Sequence, residues 1–198
     1  MTFPRNAYAV LELPTPAAEE VLAIRERERD HFRWSLMAET TISGSGGTGT
    51  FATDEDPERI YSTVDRIAAE TVPIRASFGP VRRFPGTDVF YLSFADEAPL
   101  RALNQRFAAS GLRFEPVPFP FVPHVTLRSR VPISDAEAAE LLAVRVSGEF
   151  TFDALSLYQL VWREPPSDRF EPCSACYTAP GSPARHEPPE RPVHLRQS

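Results

Sequence analysis

The chain alternates between two hydrophobic periods. Ala7 to Leu13 reads as a strand of small and aliphatic residues. Thr15-Pro16 then opens a helix that runs to about Asp30, with Glu19 and Glu20 near its positive end. The Trp34–Gly44 segment reads as a second strand. Asp56-Pro57 starts a helix in which Ile60, Tyr61, Val64, Ile67 and Ala68 share one face. Pro73 to Phe84 and Val89 to Phe94 read as strands joined through the Gly86-Thr87-Asp88 turn. Glu97 to Ser110 is a helix with Leu100, Leu103 and Phe107 inward, stopped by Gly111. Arg113 to Phe121 leads into a strand at His124, and Ser134-Asp135-Ala136-Glu137 is a capping box for a helix to about Leu142. Val144–Phe152, Leu155–Trp162 and Phe170–Tyr177 complete the strands. From Ala179 onward, prolines and charges predict a disordered tail.

This mixture predicts an α+β fold with short connections. The expected arrangement is two pseudo-symmetric lobes around a central cleft. Each is an antiparallel sheet backed by helices. Residues 1–178 form this bilobal domain and residues 179–198 the tail.

Chemistry concentrates at Pro123-His124-Val125-Thr126-Leu127-Arg128. In an extended strand His124, Thr126, Arg128 and Arg130 share a face, with Val125 and Leu127 turned to the core. Imidazole moves protons near neutrality, while hydroxyl and guanidinium hold phosphate oxygens. Upstream, Glu39-Thr40-Thr41-Ile42 has the same outline: aligning Thr41 with Thr126 sets Glu39 opposite His124, 85 positions earlier. Each strand is preceded and followed by a helix, the outline of a duplicated lobe.

On these motifs the chain resembles the two-histidine (2H) phosphoesterase superfamily, in particular the RNA 2′,3′-cyclic phosphodiesterase or 2′-5′ RNA ligase (LigT-like) group. The resemblance spans roughly residues 5–178, including Val161-Trp162-Arg163-Glu164-Pro165. It implies a metal-independent acid/base reaction at a phosphodiester with no cofactor. The His124 motif fits the family pattern; the first motif carries Glu39 where the family has histidine. The implied catalytic pair is His124 and Glu39, with Thr126, Thr41, Arg128, Arg130 and Tyr91 binding phosphate or substrate. Arg33, Arg82 and Arg83 rank behind them.

Glu39 leaves three outcomes open. An ionised carboxylate about 4–5 Å from a phosphate opposes it by roughly 3–4 kcal/mol at an effective dielectric near 20. Burial can instead keep Glu39 neutral as a proton donor, and a base role for Glu39 is also competent. The alternatives are an enzyme redirected to an uncharged or cationic substrate, or a noncatalytic nucleotide-binding protein.

Composition narrows the partners. A net charge of −6 argues against long nucleic acid but not against a small phosphorylated ligand held by local arginines. All 21 basic residues are arginine, which excludes Schiff-base and P-loop lysine chemistry. No apolar run reaches membrane-spanning length and no secretory signal opens the chain, so a cytoplasmic monomer is expected. Cys173 and Cys176 lack the two further ligands of a zinc site and read as incidental thiols. The glycine-rich Ser43–Thr50 segment reads as a flexible loop at the cleft rim. His31 reads as a helix-terminal residue.

Overall fold

The structure is a computed structural model that describes residues 7–44, 46–159 and 193–194. Its elements run β1 (Ala7–Glu12), α1 (Ala17–Arg27), α2 (His31–Trp34), β2 (Glu39–Ser43), α3 (Pro57–Ala69), β3 (Ile74–Arg83), β4 (Phe90–Phe94), α4 (Ala98–Ala108), β5 (Val125–Arg128), α5 (Asp135–Ala143), β6 (Glu149–Phe152), β7 (Ala154–Gln159) and β8 (Val193–His194). Local signals explain most boundaries. Asp56 caps α3 by accepting from the Glu58 amide, Pro57 sits in its first turn, and Ile60, Val64, Ile67 and Ala68 form its buried stripe. Ser134 and Glu137 close a complete capping box on α5.

The strands form two antiparallel sheets, ordered β2-β1-β7-β8 and β5-β4-β3-β6. The fold is therefore the expected α+β pair of lobes. The two motif strands, β2 and β5, are each the edge of their sheet, and these edges lie against one another. One continuous core spans both lobes, from Leu11, Val21 and Ile42 through Phe51, Ile60 and Phe107 to Leu92, Val125 and Phe152.

The halves repeat a detail that sequence periodicity cannot display. In β2, Thr41 pairs with Val10 and Ser43 with Ala9, so Ile42 is an extra residue. In β5, Thr126 pairs with Tyr91 and Arg128 with Phe90, so Leu127 is an extra residue. Each motif strand thus bulges directly after its threonine. The equivalence of Thr41 with Thr126 has a counterpart in the backbone.

The helices cross over between lobes. α1, which joins β1 to β2, packs on β5, and α4, which joins β4 to β5, packs on β2. From α1, the buried Arg25 donates to the Thr126 carbonyl at 3.0 Å and to the carbonyls of Arg33, Leu36 and Met37. From α4, Asn104 donates to the Ile42 carbonyl at 2.7 Å. Side chains from across the seam thereby satisfy carbonyls of the two edge strands.

Three local expectations change. The first helix ends at Arg27, and His31 opens the separate short helix α2, whose cap is Asp30. The glycine-rich segment is packed rather than loose: Gly47 donates to the Phe119 carbonyl, and a Cβ on Gly49, at φ +90°, would lie 1.9 Å from the Glu115 carbonyl oxygen. Val193–His194 pair with Leu155 and Ala154 as a short strand, where the sequence reading has an unstructured tail. The predicted Phe170–Tyr177 strand, the Val161–Pro165 segment, Cys173 and Cys176 lie outside the described residues.

Candidate functional site

The seam between β2 and β5 collects the candidate residues. Glu39 begins β2, half-buried, and its Oε2 accepts from the Thr41 hydroxyl at 3.1 Å. Burial lifts the Glu39 carboxyl above its ordinary value of 4.5, against the pull of Arg25, Arg33 and the Thr41 hydroxyl. Directly opposite Glu39 on β1 stands Glu12, whose Oε1 accepts from Ser156 Oγ and Tyr158 OH, both at 2.7 Å.

His124 immediately precedes β5 and is also half-buried. Its Nδ1 lies 2.6 Å from the Val122 carbonyl oxygen. A carbonyl only accepts, so Nδ1 carries the proton and the neutral ring keeps a lone pair on Nε2. The imidazole meets Phe84 edge-on at 5.2 Å and 87°, and Tyr91 at 5.2 Å and 66°; Phe84 and Tyr91 stack at 4.3 Å. Burial first, then the nearby Arg33 charge, push the ring below its ordinary value of 6.5, opposed by the Val122 carbonyl.

Arg33 joins the two halves of the site. Its Nε donates to Ser129 Oγ at 2.8 Å, and its charge reaches both Glu39 and His124. The buried Asp30 fixes the neighbouring backbone by accepting from the amides of Arg33, Ser129 and Arg130.

Several expected binding residues are held otherwise. Arg128 does not share a face with His124, because the Leu127 bulge interrupts the two-residue period. It is 4% exposed, and its guanidinium donates to the carbonyls of Glu28, Val131 and Pro132 and pairs with the Glu28 carboxylate at 3.2 Å. It staples the chain and is not an open phosphate clamp. Arg130 lies over the Phe32 ring at 3.4 Å. Tyr91, 7% exposed, packs against Phe84 and His124 and offers no open stacking face to a base. The Thr41 hydroxyl is turned to Glu39, while Thr126 is buried at the seam. Arg83 pairs with Asp88.

Sequence reasoning passed over Arg25 and Phe84. Arg25 hides in an alternating-charge run that reads as a solvated face, yet it continues the buried stripe of Ala17, Val21 and Ile24 at helical spacing. Phe84 shares strand parity with Arg82, which would have placed it beside Tyr91.

This geometry, two edge strands with matching bulges bringing an imidazole and a carboxyl to one seam, can be set beside known proteins. No curated protein sequence matches the chain. Among solved structures, TT0787 of Thermus thermophilus is similar at TM-score 0.60 and 18% identity, covering 81% of this chain and 91% of its own. E. coli LigT complexed with 3′-AMP is similar at TM-score 0.58 and 14% identity, covering 98% and 99%. LigT complexed with NADP+ gives 0.57 and 14%, over the same shares. Such identities carry the fold alone. The sequence itself goes further: residues 48–161, more than half the chain, match the model of the 2′-5′ RNA ligase superfamily, a span that begins after Glu39 and contains the His124 motif. With the bilobal fold already in place, that match means the chain belongs to the 2′-5′ RNA ligase superfamily.

Proposed function

We propose that this protein opens a 2′,3′-cyclic or 2′-5′ phosphodiester on a small nucleotide or RNA end, with His124 as general base and Glu39 as general acid. The observation that carries the assignment is the Nδ1–Val122 bond, which leaves Nε2 as the basic nitrogen. Burial and Arg33 keep the ring neutral and ready to accept a proton. Burial keeps Glu39 protonated to a higher pH than an ordinary carboxyl, and the protonated form is the one with a proton to give.

For a 2′,3′-cyclic phosphate the steps balance. Water attacks phosphorus and gives its proton to His124 Nε2. The bond to one ribose oxygen breaks, and that oxygen takes the Glu39 proton. The product is a phosphomonoester, and solvent then returns a proton to Glu39 and removes one from His124. Arg33 and the Thr126 hydroxyl stabilise charge on the nonbridging oxygens. Relatives in fold have been solved with 3′-AMP and with NADP+, ligands of the phosphorylated class proposed here.

The test is a panel of adenosine 2′,3′-cyclic phosphate and 2′-5′-linked diadenylate, with and without EDTA. Turnover insensitive to EDTA and abolished by His124→Ala is the expected result. A folded protein that turns over none of the panel overturns the proposal.

A further inference from the structure

Glu12 in β1 is the cross-strand partner of Glu39 in β2, so the two side chains share a face, with their Cβ atoms about 4.5–5.5 Å apart. Like charges placed directly opposite on adjacent strands are destabilising, and the arrangement is tolerated when one of the two carries a proton. The surroundings decide which. Glu12 is exposed, and its Oε1 accepts from Ser156 Oγ and Tyr158 OH, both at 2.7 Å. Those donors stand on β7, the other neighbour of β1, where Ser156 pairs with Val10 and Tyr158 with Tyr8. Two hydroxyls therefore fix the Glu12 carboxylate from the side away from β2. Glu39 is half-buried and accepts one hydrogen bond among the described residues, from the Thr41 hydroxyl. Among the described residues no hydrogen bond joins the two carboxyl groups, so Glu12 acts on Glu39 through its charge.

The groups around Glu39 pull in two directions. Burial, the largest effect, and the Glu12 charge favour the protonated acid, against Arg25 from α1, Arg33 from α2 and the Thr41 hydroxyl. Tyr8, on the same face of β1, stays an uncharged phenol, held above its ordinary value of 10 by burial and by Glu39. The His124 ring across the seam is neutral. With Glu12 uncharged, the charges nearest Glu39 are two guanidiniums, a setting that draws the proton off a carboxyl. We propose that Glu12 is the positioning residue for the acid: fixed by Ser156 and Tyr158, its negative charge keeps the proton on Glu39 until the leaving oxygen takes it. Glu12 acts through Glu39 and exchanges no proton with the substrate. The inference rests on the acid/base reading of the seam and adds a residue that lies outside both threonine motifs.

The test is Glu12→Gln, whose amide oxygen still accepts from Ser156 and Tyr158 while the charge is gone. One readout is the titration of the Glu39 carboxyl carbon by NMR, its signal assigned with Glu39→Gln. The other is the pH profile of kcat/KM for adenosine 2′,3′-cyclic phosphate. That profile reports groups of the free protein, so the two must agree. Glu12→Gln should move the Glu39 titration and the alkaline limb down together by about one pH unit, which lowers kcat/KM about tenfold above the limb. The acid limb, set by His124, should stay where it is. Glu140→Gln, exposed on α5, controls for net charge and should move neither limb. An unmoved Glu39 titration in folded Glu12→Gln, or an equal shift from Glu140→Gln, overturns the inference. Should Glu12→Gln not fold, the wild-type protein decides: its Glu39 signal should show a second, smaller inflection as Glu12 ionises, and a single inflection overturns the inference. A moved titration with no turnover sinks the catalytic proposal and keeps Glu12 as the holder of the Glu39 proton. Turnover with titration and limb both unmoved does the reverse. A titration that moves while the limb stays put removes Glu39 from the acid role, and the inference with it.

Discussion

Replacing Glu39 by glutamine should raise stability and lower activity, two effects of opposite sign from one change. The Glu39 carboxyl binds its proton more tightly in the folded protein than in the unfolded chain, because burial outweighs Arg25, Arg33 and Thr41. Between its ordinary value of 4.5 and its raised one, the folded state holds more protons, so stability falls as pH rises through that window. Each unit by which burial raises the group removes about 1.4 kcal/mol at a pH above both values. Glutamine has no proton to lose. The variant should therefore melt with wild type at a pH below 4.5 and above it at alkaline pH, the gap widening between the two. Activity should fall by about 10²–10⁴, the usual contribution of a positioned acid or base. Melting curves across pH, paired with turnover of adenosine 2′,3′-cyclic phosphate, read both effects. Suppose the variant melts lower at alkaline pH and keeps full turnover. Glu39 would then be only a counter-ion for Arg25 and Arg33, and the reasoning would be refuted.

Three further outcomes are expected. The pH profile of kcat/KM should be bell-shaped: activity is lost on the acid side as His124 protonates, at a pH below 6.5, and on the alkaline side as Glu39 ionises, above 4.5. A single acid limb rising above 6.5 would contradict the assignment. Arg128→Leu should lower the urea midpoint, because it strands the Glu28 carboxylate and several carbonyls at about 1–3 kcal/mol per unsatisfied group, while leaving KM unchanged; a raised KM with normal stability would restore it as a ligand clamp. Phe84→Ala removes the edge contact that orients His124, worth about 0.5–1.5 kcal/mol, and should reduce kcat more than it raises KM. An unchanged kcat would show that the ring needs no such wall.

The sheets and helices were legible because their signals are local. Caps at Asp56 and Ser134, and stripes such as Leu100, Leu103 and Phe107, announce themselves within a few residues. The equivalence of Thr41 with Thr126 was legible because duplication repeats a short pattern. What failed depended on register. One extra residue after Thr126 turns the chain out of phase, and parity alone assigned Arg128 to the wrong neighbours. Arg25 and Asp30 were missed for a different reason: charged residues in an alternating run resemble a wet helix face. The opposite lobe supplies one of the carbonyls around Arg25 and two of the amides around Asp30 that make their burial tolerable.

The crossed attachments of Arg25 and Asn104 limit how the protein moves. Drawing the halves apart would strip a deeply enclosed guanidinium, its proton affinity already brought down to about 10, of one of its four carbonyl acceptors. The amide on the other side would lose its acceptor in the same motion. The jaws are bolted at two points, so ligands should reach the gap by way of its open rim, and rigidity, not hinge closure, sets how well the reacting groups are aimed.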